Sequence, residues 1–208
     1  MYTLFSMPGA CSMSDHIALV WSGLDYNVHF VNHDSLDSPE YLAKNPQGQV
    51  PLLEKDGWSL TQNAAILNYI AEKAPETNIG PQDTPESRAD FLRWLSYVSA
   101  DYHKAFGNIF GAGKLGLAED ATVILKKAAI ENLKNAHLKK MDTYLATHQF
   151  IFENRKTVID AYFWVVTSWA YNFVPTLATD YPSLHAYFER IKQDAGIQKV
   201  IADQKAAK

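Results

Sequence analysis

The chain has 208 residues, of which 47% are hydrophobic and 20% are charged, a composition that is ordinary for a globular protein of one or two domains. One cysteine excludes a disulfide within the chain and is typical of a reducing compartment, so we expect a cytoplasmic protein. The net charge of −4, without clustered Lys and Arg, argues against a nucleic-acid partner, and the longest apolar run, residues 161–166, is too short to span a membrane.

The first part of the chain alternates the patterns of strands and helices. Short apolar or alternating segments predict four strands, at residues 2–5, 26–31, 50–54 and 58–60. Asp56 and Gly57 mark a hairpin turn between the last two strands, and helical patterns follow the other strands. The order β-α-β-α-β-β-α predicts a small α/β domain with a mixed sheet, which we assign to residues 1–77.

Helical patterns dominate the rest of the chain. Residues 78–85 are rich in proline and glycine, so we interpret them as a linker that precedes an all-helical domain at residues 86–208. The helix predicted at residues 161–173 is apolar on nearly all sides and should be the buried centre of that domain. Thr157 and Asp160, just before it, have the spacing of a capping box.

Cys11 lies between the first strand and the first helix, in the sequence SMPGACSMS at residues 6–14. At the N-terminus of a helix, free N–H groups and the positive end of the helix dipole favour a thiolate. The alternatives are a cysteine that packs as a small apolar residue and a Ser12 that only caps the helix.

Three further positions carry groups that a ligand can use. A cis bond between Val50 and Pro51 would free the backbone of Val50 to pair with an extended ligand, whereas a trans bond fits a proline that opens an edge strand. Gln62 and Asn63 precede a helix whose first N–H groups can bind a carboxylate, unless Asn63 only caps that helix. His103 is placed to hydrogen-bond a thiolate or to act as acid or base, and it also fits the edge of a core.

Together, and in this order, these motifs resemble those of the soluble glutathione transferases, most closely the bacterial beta class. The matching segments are MPGACS at residues 7–12, NPQGQVP at 45–51, LTQNAAI at 60–66, HKAF at 103–106 and the capping box at 157–160. The chain departs from the beta pattern at Gln62-Asn63, where Glu-Ser is common, and at Ser96, where asparagine is usual. The resemblance covers the whole chain and implies a thioredoxin-like N-terminal domain followed by an all-helical C-terminal domain.

The resemblance also implies a function and a set of site residues. The implied enzyme conjugates the thiolate of glutathione, a co-substrate, to electrophilic and largely apolar small molecules in detoxification. It needs no metal and no permanently bound cofactor, and it is a homodimer with the first long helices at the interface. The implied catalytic residues are Cys11 and His103. The implied glutathione contacts are Ser12, Gln49, Val50, Pro51, Gln62, Asn63 and Lys104. The second substrate is expected between Cys11 and the strip from Ser96 to His103, against Tyr102, Phe106 and Trp164.

Two other functions are compatible with the same residues. Cys11 can itself form a mixed disulfide with glutathione, which would make the protein a glutathione-dependent thiol-disulfide oxidoreductase. The departures at Gln62, Asn63 and Ser96 are compatible with a non-catalytic member of the fold that binds a protein partner.

Overall fold

A single mixed sheet organises the N-terminal domain in the computed structural model, which describes residues 1–207. The strands are β1 (Tyr2–Ser6), β2 (Tyr26–Phe30), β3 (Leu52–Lys55) and β4 (Trp58–Thr61). Their order is β2-β1-β3-β4, with β1 parallel to β2 and the other neighbours antiparallel. This sheet confirms the predicted thioredoxin-like domain.

Four helices belong to this domain, and they position the residues at the ends of the strands. They are α1 (Met13–Ser22), α2 (His33–Leu36), α3 (Pro39–Lys44) and α4 (Asn63–Lys73). The side chains of Leu4, Ile17, Leu53 and Ile66 are fully buried in one apolar core, which fixes α1 and α4 relative to the sheet. The short helix α2 was not predicted, because four residues are too few for a helical period to show.

The remaining elements are helical, as predicted. They are α5 (Pro85–Ser96), α6 (Gly107–Gly111), α7 (Glu119–Asn132), α8 (Lys139–Leu145), α9 (Val158–Ala170), α10 (Leu177–Asp180), α11 (Pro182–Lys192) and α12 (Ala195–Ala206). Two π-helical segments, Tyr97–His103 and Leu133–Leu138, interrupt the two long helices that the sequence predicts. A π-helical segment has more residues per turn than an α-helix, yet Tyr102 and Phe106 are buried in the same core as Phe91 and Leu95.

Helix α9 is the buried centre of the helical domain, as predicted. Ile159, Phe163 and Val166 have no exposed surface, and Thr157 and Asp160 form the predicted capping box. No helix within residues 1–207 combines the length and the apolar character that crossing a membrane requires.

The helical domain also holds the turn that precedes Cys11. The indole Nε1 of Trp169 donates to the carbonyl oxygen of Gly9 at 2.9 Å, and the N–H of Gly9 donates to Oε1 of Gln204 at 3.0 Å. Gly9 has a φ of 82°, in the left-handed region that favours glycine. The position of Cys11 therefore depends on both domains.

Candidate active site

A cavity of about 200 Å³ lies between the two domains. The residues that line it carry mostly amide, hydroxyl and backbone groups, with Lys104 as a cation. They are Cys11, Asn45, Gln47, Gln49, Val50, Pro51, Thr61, Gln62, Asn63, Ser99, His103, Lys104 and Tyr162. The structure thus brings together eight of the predicted site residues, namely Cys11, Gln49, Val50, Pro51, Gln62, Asn63, His103 and Lys104. Within residues 1–207, no three His, Cys, Asp or Glu side chains are grouped so that they could hold a metal ion.

Cys11 precedes α1 and is partly exposed to this cavity. Its thiol donates a weak hydrogen bond to the carbonyl oxygen of Val50, with 3.8 Å between sulfur and oxygen. The bond between Val50 and Pro51, which the sequence left open, is cis. The sulfur and the backbone of Val50 are therefore available to the same bound molecule.

The ionisation of Cys11 differs from the expectation. Burial, and then the charge of Asp15, raise the pKa of the thiol to about 12, while the N–H groups of Ser12 and of Cys11 itself act in the opposite direction. The helix start therefore lowers the pKa, as expected, but desolvation outweighs it. Cys11 is a thiol at neutral pH in the ligand-free protein.

The side chain of Ser12 does not line the cavity, unlike the other residues that were predicted to contact glutathione. The side chain has no exposed surface, and its Oγ accepts hydrogen bonds from the hydroxyl of Ser6 at 3.0 Å and from the N–H of Met7 at 3.1 Å. These contacts fold the turn back onto the end of β1. The hydroxyl of Ser12 therefore stabilises the loop between β1 and α1.

Gln62 and Asn63 lie at the start of α4, at one end of the cavity. Gln62 has a φ of 74°, a conformation that costs free energy outside glycine and is typical of functional sites. Asn63 is the first residue of α4 rather than its cap, and its Nδ2 donates to Oγ of Ser14 at 2.7 Å. Its Oδ1 has no hydrogen-bond partner within the described residues. A free acceptor and the first N–H groups of a helix therefore meet at this end.

His103 faces the cavity from the helical domain and is half-buried. Its Nδ1 lies 2.7 Å from the hydroxyl oxygen of Tyr162. Burial, and then the charge of Lys104, lower the pKa of His103 to about 4. The imidazole is therefore neutral at pH 7, and it can donate one hydrogen bond and accept another without carrying a charge.

Two residues of this wall were missed by the sequence analysis. Ser99, not Ser96, faces the cavity, and it lies one helical turn before His103 on the same face. Tyr162 lies in the apolar helix α9, where its hydroxyl interacts with Ser99 and His103. A tyrosine in a helix that is otherwise apolar needs a polar partner, which is the signal that could have identified it.

The three residues predicted to contact the second substrate are buried in the core, so these assignments are wrong. Tyr102 has no exposed surface and lies 3.1 Å from the hydroxyl of Thr167. Phe106 is also fully buried, and Trp164 donates its indole N–H to the carbonyl oxygen of Phe188 at 3.1 Å. Tyr102 and Phe106 belong to the apolar helical period of residues 91–109, and that period favours burial in the core over contact with a ligand.

A different aromatic group lies beside His103, and we call it the aromatic wall: Phe110, Trp169 and Phe173. The ring of Trp169 is 4.9 Å from that of His103 and 5.6 Å from that of Phe110, and Phe110 is 5.5 Å from Phe173. Phe110 is 52% exposed, which is unusual for a phenylalanine. The wall therefore offers apolar surface to solvent next to the polar cavity.

Comparisons with known proteins agree with this arrangement. The family model "Glutathione S-transferase, N-terminal domain" matches residues 1–72, and "Glutathione S-transferase, C-terminal domain" matches residues 115–204. The chain is 39% identical over 198 residues to glutathione S-transferase GST-4.5 of Xanthomonas campestris pv. campestris, which is 95% of this chain and 96% of that protein.

Two solved structures are similar over nearly their whole length. A sphingomonad glutathione S-transferase in complex with glutathione is 33% identical, with a TM-score of 0.86 over 98% of each chain. A bacterial beta class glutathione S-transferase of Sphingomonas chungbukensis is 32% identical, with a TM-score of 0.85 over 97% of this chain and 98% of that chain. These similarities confirm the resemblance that the motifs indicate.

Proposed function

The chain belongs to the glutathione S-transferase family and is a glutathione transferase, and we propose that it conjugates the glutathione thiolate to electrophilic, largely apolar small molecules. The observation that carries the proposal is the meeting of Cys11, Val50 and the start of α4 around one cavity. Such a cavity offers a thiol, a peptide backbone and an anion site to a single tripeptide. The sphingomonad relative, whose structure contains glutathione, supports it.

Glutathione is proposed to lie along Val50, with its γ-glutamyl end at Gln62 and Asn63. The first N–H groups of α4 suit the carboxylate of that end, and the unpartnered Oδ1 of Asn63 suits a donor such as its ammonium group. Gln49 and Lys104 line the cavity and are proposed to contact the rest of the tripeptide. The beta class commonly has Glu where this chain has Gln62. The ammonium group of glutathione would therefore meet a side-chain amide at position 62 and not a carboxylate.

The chemistry is a nucleophilic attack by the glutathione sulfur. The thiol of glutathione gives its proton to solvent, and its sulfur forms a C–S bond while an electron pair leaves with the displaced group or moves onto the acceptor. Cys11, a thiol at neutral pH, can donate its S–H to the developing thiolate. His103 is proposed to add a neutral hydrogen bond from the other side.

The aromatic wall is the proposed surface for the second substrate. Phe110, Trp169 and Phe173 present apolar faces next to His103. Aromatic side chains suit flat, apolar electrophiles. This assignment takes the place of Tyr102, Phe106 and Trp164, which are buried.

One observation favours a second function, which is thiol-disulfide exchange. The sulfur of Cys11 faces the cavity. As a thiolate it could attack the disulfide that glutathione forms with another thiol, release that thiol, and be regenerated by a second glutathione, which leaves as glutathione disulfide. The raised pKa of Cys11 disfavours this route, since only the thiolate attacks. We therefore rank conjugation first.

The experiment compares the wild type with Cys11→Ala. Calorimetry should detect glutathione binding in both proteins, and conjugation of a chlorodinitrobenzene probe should fall by about tenfold in the variant, because a single hydrogen bond to the reacting sulfur is lost. Disulfide exchange should be absent from both. No binding heat at millimolar glutathione in the wild type would contradict the proposal.

We also propose a homodimer that acts in cytoplasmic detoxification. Leu92 on α5 and Trp58 on β4 are 50% and 43% exposed, and such side chains are typical of surfaces that a second copy covers. Sedimentation at micromolar concentration should give twice the mass of the chain. A monomer mass would contradict the dimer and leave the proposed chemistry untouched.

A further inference from the structure

Gln204, near the end of α12, binds the turn that precedes Cys11 and is not among the residues that line the cavity. Its Oε1 accepts a hydrogen bond from the N–H of Gly9 at 3.0 Å, and this donor requires an oxygen at that position. The side chain is 5% exposed, and its Nε2 has no hydrogen-bond partner within residues 1–207. A buried N–H group without a partner destabilises a fold, so this amide adds little net stability. What Gln204 supplies is one acceptor for the turn.

Both backbone polar groups of Gly9 are bound by the helical domain. The indole N–H of Trp169 on α9 donates to its carbonyl oxygen at 2.9 Å, and Gln204 on α12 accepts from its N–H. Cys11 follows two residues later, and the N–H of the intervening Ala10 donates to the carbonyl oxygen of Met7 at 3.0 Å, which makes the turn tight. A movement of Gly9 is therefore transmitted to Cys11. Trp169 also belongs to the aromatic wall, whereas Gln204 can be changed without altering either proposed substrate surface.

Other contacts hold α12 against the N-terminal domain. The indole N–H of Trp21 on α1 donates at 2.7 Å to Oδ1 of Asp194, the residue that caps α12. Nε2 of His16, also on α1, lies 3.5 Å from Oδ2 of Asp203. Loss of the bond from Gly9 to Gln204 should therefore free the turn and leave the helix in place.

We propose that Gln204 is a positioning residue that holds the thiol of Cys11 where it can donate to the sulfur of bound glutathione. By fixing Gly9, it keeps the Cys11 sulfur in the cavity beside the carbonyl oxygen of Val50. A group that acts on a reacting atom has to be held within about 0.5 Å of its productive position. This consequence for glutathione rests on the proposed function, whereas the hold on the turn is a property of the free protein.

The test compares three variants with the wild type. Gln204→Met keeps the length and approximate volume of the side chain but removes the acceptor, and Gln204→Glu keeps an acceptor oxygen. The matched control is Gln198→Met, which makes the same change at an exposed residue of α12 whose amide donates to the carbonyl oxygen of Lys192.

The first measurement is alkylation of the free protein by iodoacetamide at about pH 8.5, followed by mass spectrometry. It reports on Cys11 alone, because Cys11 is the only cysteine in the chain. Gln204→Met should react about three- to tenfold faster than the wild type, since a turn that lacks one hydrogen bond opens more often and exposes the sulfur. Gln204→Glu and the control should stay within about twofold of the wild-type rate.

The second measurement separates positioning from a general loss of structure. In Gln204→Met, the kcat of conjugation should fall by about three- to fivefold, less than in Cys11→Ala, because the thiol is present but misplaced. The Kd of glutathione in calorimetry should stay within about twofold, because Val50 and the start of α4 are unchanged. The urea midpoint should equal or exceed that of the wild type, because a buried N–H group without a partner is removed.

Equal alkylation rates for the wild type and Gln204→Met would overturn the inference, and so would a Gln204→Glu protein that reacts as fast as Gln204→Met. An unchanged kcat in Gln204→Met, or a fall in kcat together with a lower urea midpoint, would also overturn it, because Gln204 would then be only structural. The alkylation rates do not involve glutathione, so they are separate from a failure of the proposed function, which calorimetry on the wild type reports. If Gln204→Met does not fold by circular dichroism, Gln204→Leu replaces it, since it also lacks the acceptor.

Discussion

Two buried aspartates, one in each domain, occupy the same position in their helices but have opposite surroundings. Asp160 is the third residue of α9, and it accepts hydrogen bonds from the N–H of Ile151 at 3.0 Å, the N–H of Thr157 at 2.8 Å and the hydroxyl of Tyr187 at 2.8 Å. Asp15 is the third residue of α1, and neither of its carboxyl oxygens has such a partner within the described residues. Asp160 is bonded to the fold around it, and Asp15 is buried without a hydrogen-bond partner for its carboxyl oxygens within residues 1–207.

The difference originates in the residue that caps each helix. Thr157 is extended, with φ −138° and ψ 173°, which directs its N–H towards Asp160. Ser12 has helical angles, φ −55° and ψ −15°, and its hydroxyl is bonded to Ser6 and Met7. The same sequence spacing therefore produces a capping box in one domain and a free carboxyl in the other.

The largest effect on stability is expected when the hydrogen-bonded carboxylate of Asp160 is removed. Asp160→Ala leaves four donors without their acceptor, the N–H groups of Ile151 and Thr157 and the hydroxyls of Thr157 and Tyr187, which should lower the free energy of unfolding by about 3 kcal/mol or more. Urea denaturation at pH 7 measures this, with Asp25→Ala as the exposed control. A loss below about 1 kcal/mol would contradict the structural role given to Asp160.

The next effect concerns the pH dependence of stability at Asp15. Burial raises the pKa of this carboxyl well above its usual value of 3.8, so charging it costs stability as the pH rises above about 4. The wild type should therefore lose stability relative to Asp15→Asn by about 1.4 kcal/mol for each pH unit, until the folded carboxyl ionises.

Chemical denaturation of both proteins at several pH values measures this difference. A difference that stays constant from about pH 4 to pH 8 would contradict the unpaired state of Asp15.

Tyr162 lines the cavity, and removal of its hydroxyl should have an intermediate effect on stability and activity. Tyr162→Phe takes away the hydroxyl that lies 2.7 Å from Nδ1 of His103, which should cost about 1 kcal/mol of stability. The kcat/KM of conjugation should fall by about three- to tenfold, because the imidazole is less well oriented. An unchanged kcat/KM would mean that His103 does not depend on this contact.

The smallest effect is expected at Ser12. Ser12→Ala should cost about 1 kcal/mol, because the hydroxyl holds the loop through Ser6 and Met7. The KM for glutathione should stay within about twofold of the wild type, since the side chain does not reach the cavity. A large rise in KM would restore Ser12 as a ligand contact.

Much of the fold and part of the site could be predicted from the sequence. Strand alternation and helix periodicity predicted the four strands and the buried helix α9, since both depend on local patterns. Cys11, Val50 and Asn63 were predicted because they lie at turns and helix starts, where local residues determine the backbone.

The rest depends on contacts that are distant in the sequence. Ser99 and Tyr162 face the cavity from two helices that meet Cys11 only in the folded chain, and no local pattern indicates that meeting. Likewise, the expected thiolate at Cys11 was derived from the helix start alone. Burial of the sulfur in the folded chain, which the sequence does not show, has the larger effect on its pKa.

The central claim is that Cys11 is a thiol at neutral pH in the free protein, because burial outweighs the effect of the helix start. The most direct measurement is a pH titration of the carbon-13 chemical shift of the Cβ of this sole cysteine in the free wild type. We predict that the wild type keeps the thiol shift beyond about pH 9, above the usual thiol pKa of about 8.5. A midpoint below about pH 8 would contradict the claim.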